Sequence, residues 1–347
     1  MDIDFIVVGQ GLAGSLLSDQ LIQGGYTVRI FDYGGANASS IAAGLYNPIT
    51  GKRWVKTWKA DDLFPYLGEY YSRLQMEYRV PFYFPRPLYR LFDSRKEQND
   101  WFSIDQSELA SLFVERVVPG PELPGVLHDP YGGLYVRNAG NIQAGILLDA
   151  MKNKWMENDT LIRERFDENK LSFVQGKIDY NGLRAGRIIY CNGLASRLSR
   201  YFSILPFNPV KGEILAVEID EAIPFIINKG ISVIPEQGTL FKAGSTYEWD
   251  NLDPGTSAAA RREILTKLKE LLRVPVKIVD QVAGIRPATR DRRPFIGWHP
   301  RVPNIGIFNG FGSKGVSLIP WLADRFIRHM ESGDEPDPEI NILRYFN

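Results

Sequence analysis

The sequence predicts a mixed α/β protein in two interleaved domains, one built on a parallel sheet and a smaller one on an antiparallel sheet. Three observations carry that expectation. A strand, glycine turn, helix, strand unit opens the chain at residues 5–32. A second strand, glycine turn, helix unit lies near the other end, at residues 305–326. Between them, residues 210–243 hold short strand-like runs separated by turn signals such as Lys211-Gly212 and Glu236-Gln237-Gly238.

Taken in order, Phe5-Ile6-Val7-Val8 is a continuous apolar run, the pattern of a strand buried on both faces of a parallel sheet. It runs directly into Gly9-Gln10-Gly11-Leu12-Ala13-Gly14. Leu12, Leu16, Leu17 and Leu21 then recur at helical spacing until Gly24-Gly25 ends the helix, and Tyr26 to Phe31 reads as a second strand. Segments 80–92 and 117–136 are rich in proline and aromatics with strand-like stretches, for example Pro81-Phe82-Tyr83-Phe84-Pro85. Residues 142–157 read as helix, Arg187 to Cys191 as a buried strand ending in Asn192-Gly193, and 257–273 as a charged amphipathic helix. Parallel-type and antiparallel-type stretches alternate, so the domains are expected to be discontinuous. The first takes 1–80, 139–208 and 281–347; the second takes 81–138 and 209–280.

Composition narrows the function classes. The chain has 347 residues, 44% hydrophobic and 24% charged, which fits a soluble globular protein of about two domains. Its 41 basic and 41 acidic residues cancel, which argues against nucleic acid or an anionic membrane as the main partner but leaves room for a local basic patch. One cysteine, Cys191, permits no intramolecular disulfide, and three histidines scattered at 128, 299 and 329 make a metal site unexpected. Acidic Asp2 and Asp4 stand where a signal peptide needs basic residues, and no apolar run approaches the ~20 residues of a membrane span. A soluble cytoplasmic protein is expected, with its oligomeric state open.

The Gly9-x-Gly11-x-x-Gly14 spacing has a physical reading. Gly9 allows the tight turn, Gly11 lets a pyrophosphate approach the backbone, and Gly14 lets helix and strand pack closely. The helix start, with Leu12 and Ala13, offers N–H groups and a partial positive charge to phosphate. Asp32 ends the second strand, placed to accept hydrogen bonds from a ribose diol. This Rossmann-like unit indicates a dinucleotide without separating NAD from FAD. Near the other end, Ile305 to Phe308 leads into Asn309-Gly310-Phe311-Gly312-Ser313-Lys314-Gly315 and a helix with Leu318, Leu322 and Phe326 on one face. A helix N-terminus there would stabilise the negative charge of a reduced flavin. Two glycine turns suit a long cofactor gripped at both ends, so noncovalent FAD is expected, with Cys191 an inert residue of a buried strand. An NAD-dependent dehydrogenase and a non-catalytic flavin-binding protein stay open.

Five stretches together resemble the D-amino-acid oxidase and glycine oxidase superfamily of FAD-dependent amine oxidoreductases. They are Gly9 to Gly14 with Asp32; Ser39-Ser40-Ile41-Ala42-Ala43-Gly44; Ile189 to Gly193; Pro209-Val210-Lys211-Gly212-Glu213; and Gly284 to Gly297 with Gly310 to Pro320. The family's acid after the second strand is usually glutamate, so Asp32 implies a shorter reach to the ribose. The resemblance implies a Rossmann-like FAD domain and an antiparallel substrate domain. It also implies a flavin lined by Ser39, Ser40, Ala43 and Gly44 and by Gly310, Gly312, Ser313, Lys314, Gly315 and Val316, with Asn192 and Gly193 at the cofactor.

Arg286 falls where an arginine in several members binds the substrate carboxylate. A guanidinium suits that task, because it grips a carboxylate through two parallel hydrogen bonds and keeps its charge. The alternative for Arg286 is a structural ion pair. Tyr247, in Gly244-Ser245-Thr246-Tyr247, would roof the substrate or serve as a core aromatic. Lys52, Arg53, Lys56 and Lys59, interleaved with Trp54 and Trp58, are either a site for a nucleotide or anionic substrate or a solvated helix edge. The implied reaction is oxidation of the C–N bond of a small carboxylate-bearing amine or amino acid, with hydride passing to flavin N5. Gly310 to Gly315 also looks like the FAD module of the bifunctional enzyme that trims a carboxymethylamino group on tRNA wobble uridine. That likeness would keep the chemistry and make the partner tRNA; the zero net charge favours the free amine.

Overall fold

The computed structural model describes residues 2–35, 37–51, 54–103, 107–333 and 336–346. Lys52 and Arg53 of the basic stretch lie outside them. Two eight-stranded sheets organise the chain. In the first, Asp2–Val8 pairs in parallel with Val28–Phe31 on one side and Leu183–Tyr190 on the other. The outer edge of Leu183–Tyr190 is shared. Residues 183–185 pair antiparallel to Lys177–Tyr180, and residues 188–190 pair parallel to Val302–Asn309. The opening glycine motif and the closing one therefore follow strands that both flank Leu183–Tyr190, although they stand at opposite ends of the sequence.

Three helices cover one face of this sheet. Leu12–Gln23 presents Leu16, Leu17 and Leu21; Gly315–Ser332 presents Leu318, Leu322 and Phe326; Ala60–Tyr78 presents Leu63, Leu67, Tyr71 and Leu74. Leu16 and Leu17 apart, which are adjacent, the residues of each set follow one another at intervals of four residues, or three between Tyr71 and Leu74, and so form one apolar stripe. The Tyr71 hydroxyl donates to the Val316 carbonyl at 2.8 Å, tying the third helix to the start of the second. No helix of the described residues is long and apolar enough to cross a membrane.

The second sheet runs Lys277–Arg286, Val210–Glu218, Leu240–Gly244, Ile231–Pro235, Ile226–Lys229, Leu88–Leu91, Gly133–Val136, Val114–Val118. Its neighbours are antiparallel except Ile226–Lys229 against Leu88–Leu91, a parallel pair that joins the two chain segments of the sheet. Strand alternation divides its faces. Tyr89, Leu215, Ile227, Val233 and Ala243 pack under Ile264, Leu268 and Leu271 of the helix Ala258–Leu271. The residues between them point toward the first sheet. The strand Lys277–Arg286 is continuous through residue 281, where the sequence places a domain boundary.

Phe308 is fully buried at the end of its strand, with ring contacts to Phe311 at 4.8 Å and Phe326 at 5.9 Å between centroids. Phe308→Ala removes this bridge between the parallel sheet and the helix Gly315–Ser332. We expect a loss of about 3–5 kcal/mol in urea unfolding, since large-to-small core changes forfeit transfer and cavity terms together.

Candidate active site

The carboxyl ends of Asp2–Val8, Leu183–Tyr190 and Val302–Asn309 open on one cavity of about 1810 Å³. That crevice is where parallel α/β sheets hold their ligands. Two helix starts face it. Leu12–Gln23 begins after Gly11 with no side-chain cap, and the Leu12 N–H donates to Ser39 Oγ at 3.0 Å. The N–H groups of Gly11, Ala13 and Gly14 have no acceptor among the described residues. Gly315–Ser332 begins after Lys314, again uncapped, and the N–H groups of Gly315 and Val316 are equally unspent. Burial lowers the Lys314 pKa, helped by Arg293 and Arg292.

The glycine turn is built for close approach. Gly9 has φ +102°, and a side chain on Gly14 would run into the Gly9 carbonyl. Asp32 braces the turn, one carboxylate oxygen accepting the Gln10 N–H at 2.8 Å and the other the Gly34 N–H at 2.6 Å. Both oxygens keep lone pairs for a further donor. Gly9, Gly11, Leu12, Ala13, Asp32, Ser39, Ala43, Gly44, Asn192, Gly193, Gly312, Ser313, Lys314, Gly315 and Val316 all line the cavity. Gly14, Ser40 and Gly310 do not. Gly14 is spent on helix packing, and the Ser40 hydroxyl on a capping box with Asn37. At Gly310 a Cβ would meet Thr289 at 2.7 Å, so its role is in the turn. Uncapped N–H groups and a side-chain-free cradle fit the diphosphate of FAD at the first helix start and a flavin carbonyl at the second. Burial pushes the Cys191 thiol well up, which keeps it protonated.

On the far side, Arg286 ends the strand Lys277–Arg286. Its Nη2 donates to Ser245 Oγ at 2.5 Å, and both Nη atoms reach the Thr246 carbonyl at 3.4–3.5 Å. The guanidinium carbon lies 4.7 Å from the Tyr247 ring centre. No carboxylate pairs with it among the described residues, and burial lowers its pKa. The ion-pair alternative is therefore overturned, and so is the core reading of Tyr247. That ring is 54% exposed, lines the cavity and stacks on Trp249. A side chain on Gly212 would occupy the space of the guanidinium.

The loop carrying Ser245 to Tyr247 is anchored from the neighbouring strand, a feature not assigned from the sequence: the Thr246 N–H donates to the Glu213 carbonyl at 3.3 Å and the Glu213 N–H to Thr246 Oγ1 at 3.0 Å. The buried Glu213 carboxylate accepts the N–H and hydroxyl of Ser257 at 2.8 Å and the Gln281 amide at 2.7 Å. Lys211 exchanges both backbone hydrogen bonds with Glu248. The basic stretch is less cationic than its sequence, because Lys56 pairs with Asp61 and Lys59 with Asp337. Trp54 is buried against Phe92 and Trp101.

Asp32→Ala strands two backbone N–H donors, at about 1–3 kcal/mol each if they stay dry. We expect the variant apoprotein to bind FAD at least tenfold more weakly by flavin fluorescence titration, with a lower thermal midpoint. Unchanged FAD affinity would remove Asp32 from the cofactor site.

Comparison with known proteins agrees with this geometry. The chain is 22% identical over 382 residues to the tRNA 5-methylaminomethyl-2-thiouridine biosynthesis bifunctional protein MnmC of Legionella pneumophila, covering 92% of this chain and 53% of that one. It thus spans about half the length of that relative. It is 26% identical over 361 residues to glycine oxidase of Pseudomonas putida, covering 97% and 96%. The crystal structure of glycine oxidase from Geobacillus kaustophilus superposes with a TM-score of 0.82 at 19% identity, over 99% of this chain and 98% of that one. The family described as FAD dependent oxidoreductase matches residues 4–328, and the chain belongs to it.

Proposed function

We propose that this enzyme oxidises the C–N bond of a small amine that bears a carboxylate, held by Arg286. One observation carries the reading: a half-buried guanidinium lines the FAD cavity with no carboxylate partner among the described residues. Partial burial of a charge without a counter-ion is unfavourable, and a substrate carboxylate would offset that cost. FAD, bound without a covalent link, supplies the two-electron acceptor that takes a hydride from the substrate carbon. The chain's own part is binding and orientation. Gly11 and Ala13 offer N–H groups to the diphosphate, Asp32 accepts from the ribose, and Gly315 and Val316 offer N–H groups to the flavin.

Ser245 and the Thr246 carbonyl fix the guanidinium plane, and Tyr247 covers one of its faces, so a carboxylate can enter along the remaining edge. Orientation of that kind lowers a barrier by fixing the reacting carbon in place. No protein base is required, because a neutral amine loses hydride directly. The imine product then adds water to give an oxo compound and an amine or ammonia. Division into a cofactor unit (1–80, 139–208, 281–347) and a substrate unit (81–138, 209–280) belongs to the same reading.

A second reading, with the amine carried on a tRNA wobble uridine, draws support from the likeness to the Legionella protein. Anaerobic mixing separates the two. Bleaching by free carboxylate-bearing amines supports the first, bleaching by modified tRNA alone supports the second, and bleaching by neither contradicts both. Arg286→Ala should retain FAD and lose roughly thirtyfold to several-thousandfold in kcat/KM, the cost of a lost desolvated charge pair. Arg286→Lys should recover only part of it, because a lysine cannot grip bidentately.

A further inference from the structure

The cavity does not stop at Arg286. Its wall is the inner face of the second sheet, and the register fixes what lies along it. Gly244 pairs with both Ile214 and Ser232, Ser232 with Asn228, and Asn228 with Arg90. Directly paired residues share a face, so Ser232, Asn228 and Arg90 form one polar row leading away from the Ser245–Arg286 contact. All three line the same cavity. Three strand steps of about 4.8 Å place the Arg90 backbone about 14 Å from Gly244.

Arg90 is 8% exposed, and its guanidinium makes no hydrogen bond within 3.5 Å among the described residues, its one ion-pair partner being Glu97. The Glu97 carboxylate stands 3.6 Å away, and its other oxygen accepts the Asp93 N–H at 2.5 Å. One face of the guanidinium lies 3.6 Å from the Trp54 ring centre, which fixes its plane and leaves its edge for a ligand. Asn228 donates to Ser232 Oγ at 2.9 Å, so the serine proton is free to point elsewhere. Lys229 and Asp93 also line this end, so with Arg90 and Glu97 the charges cancel in pairs. The Arg90 guanidinium, stacked on Trp54 and ion-paired with Glu97 without a hydrogen bond, thus keeps donors for a cavity ligand, about 14 Å of sheet away from the Ser245 loop that holds Arg286.

We propose that Arg90, Asn228 and Ser232 form a second subsite for a carboxylate at the far end of an elongated substrate. The substrate class is then an amine with one carboxylate at Arg286 and a chain ending in another. This rests on the Arg286 reading, and non-reacting ligands separate the two. FAD-loaded protein is titrated with linear monocarboxylates and with α,ω-dicarboxylates from succinate to sebacate, following the perturbation of flavin absorbance. The longer dicarboxylates should bind at least tenfold tighter than monocarboxylates of equal length, and succinate should show no such gain. Asn228→Ala and Arg90→Gln should each bring that ratio close to one. If monocarboxylates bind and no dicarboxylate gains, or the gain survives both substitutions, the subsite is overturned and the Arg286 reading stands. If monocarboxylates do not bind at all, the Arg286 reading fails with it. Should Arg90→Gln not fold, Asn228→Ala alone decides.

Discussion

The site depends on hydrogen-bond donors that folding leaves unspent. Every helix begins with N–H groups that its own ladder cannot satisfy, and most helices cover them with a side-chain cap. Here two helices begin uncapped at the carboxyl ends of strands flanking Leu183–Tyr190, so their partial positive charges face one cavity. The parallel pairing of Val302–Asn309 with Leu183–Tyr190 brings the second start beside the first. Without that crossover the two glycine motifs would be separate turns. With it, they form one cradle long enough for a dinucleotide.

Arg286 extends the same logic to the substrate side. Its strand delivers it to the cavity, the missing side chain at Gly212 gives it space, and Ser245 and Thr246 orient it. Glu213 holds their loop through its backbone, its carbonyl accepting the Thr246 N–H at 3.3 Å and its N–H donating to Thr246 Oγ1 at 3.0 Å, while its carboxylate binds Ser257 and Gln281. The buried carboxylate takes three donors, and each stays paired, which is the condition for burying charge without a heavy penalty. The stretch Pro209 to Glu213 thus anchors the loop beside Arg286.

Much of this was legible in the sequence because it is local. The run Phe5–Val8, the glycine spacing and the acid at position 32 each report a turn or helix start through neighbouring residues alone. The packing role of Gly14 against Gly9 follows from its spacing, whereas Ser40 and Gly310, expected at the flavin, lie off the cavity because contacts with Asn37 and Thr289 are invisible in one dimension. The helix Ala60–Tyr78 was not assigned, because Pro65 and its polar flanks obscure an apolar stripe that only burial reveals. Arg90 carried no signal, as its place on the cavity wall depends on a parallel pairing between residues 88–91 and 226–229.

If the Arg286 guanidinium receives a substrate carboxylate beside the flavin, a non-oxidisable carboxylate should bind there as well. A crystal structure of the FAD-loaded protein with a bound non-oxidisable carboxylate, such as acetate or glycolate, tests it most directly. Both carboxylate oxygens are expected on the Arg286 guanidinium at about 2.7–2.9 Å, the spacing of charge-assisted hydrogen bonds, with Ser245 and Thr246 still in place. A ligand bound elsewhere in the cavity, with Arg286 turned onto a protein carboxylate, would contradict it.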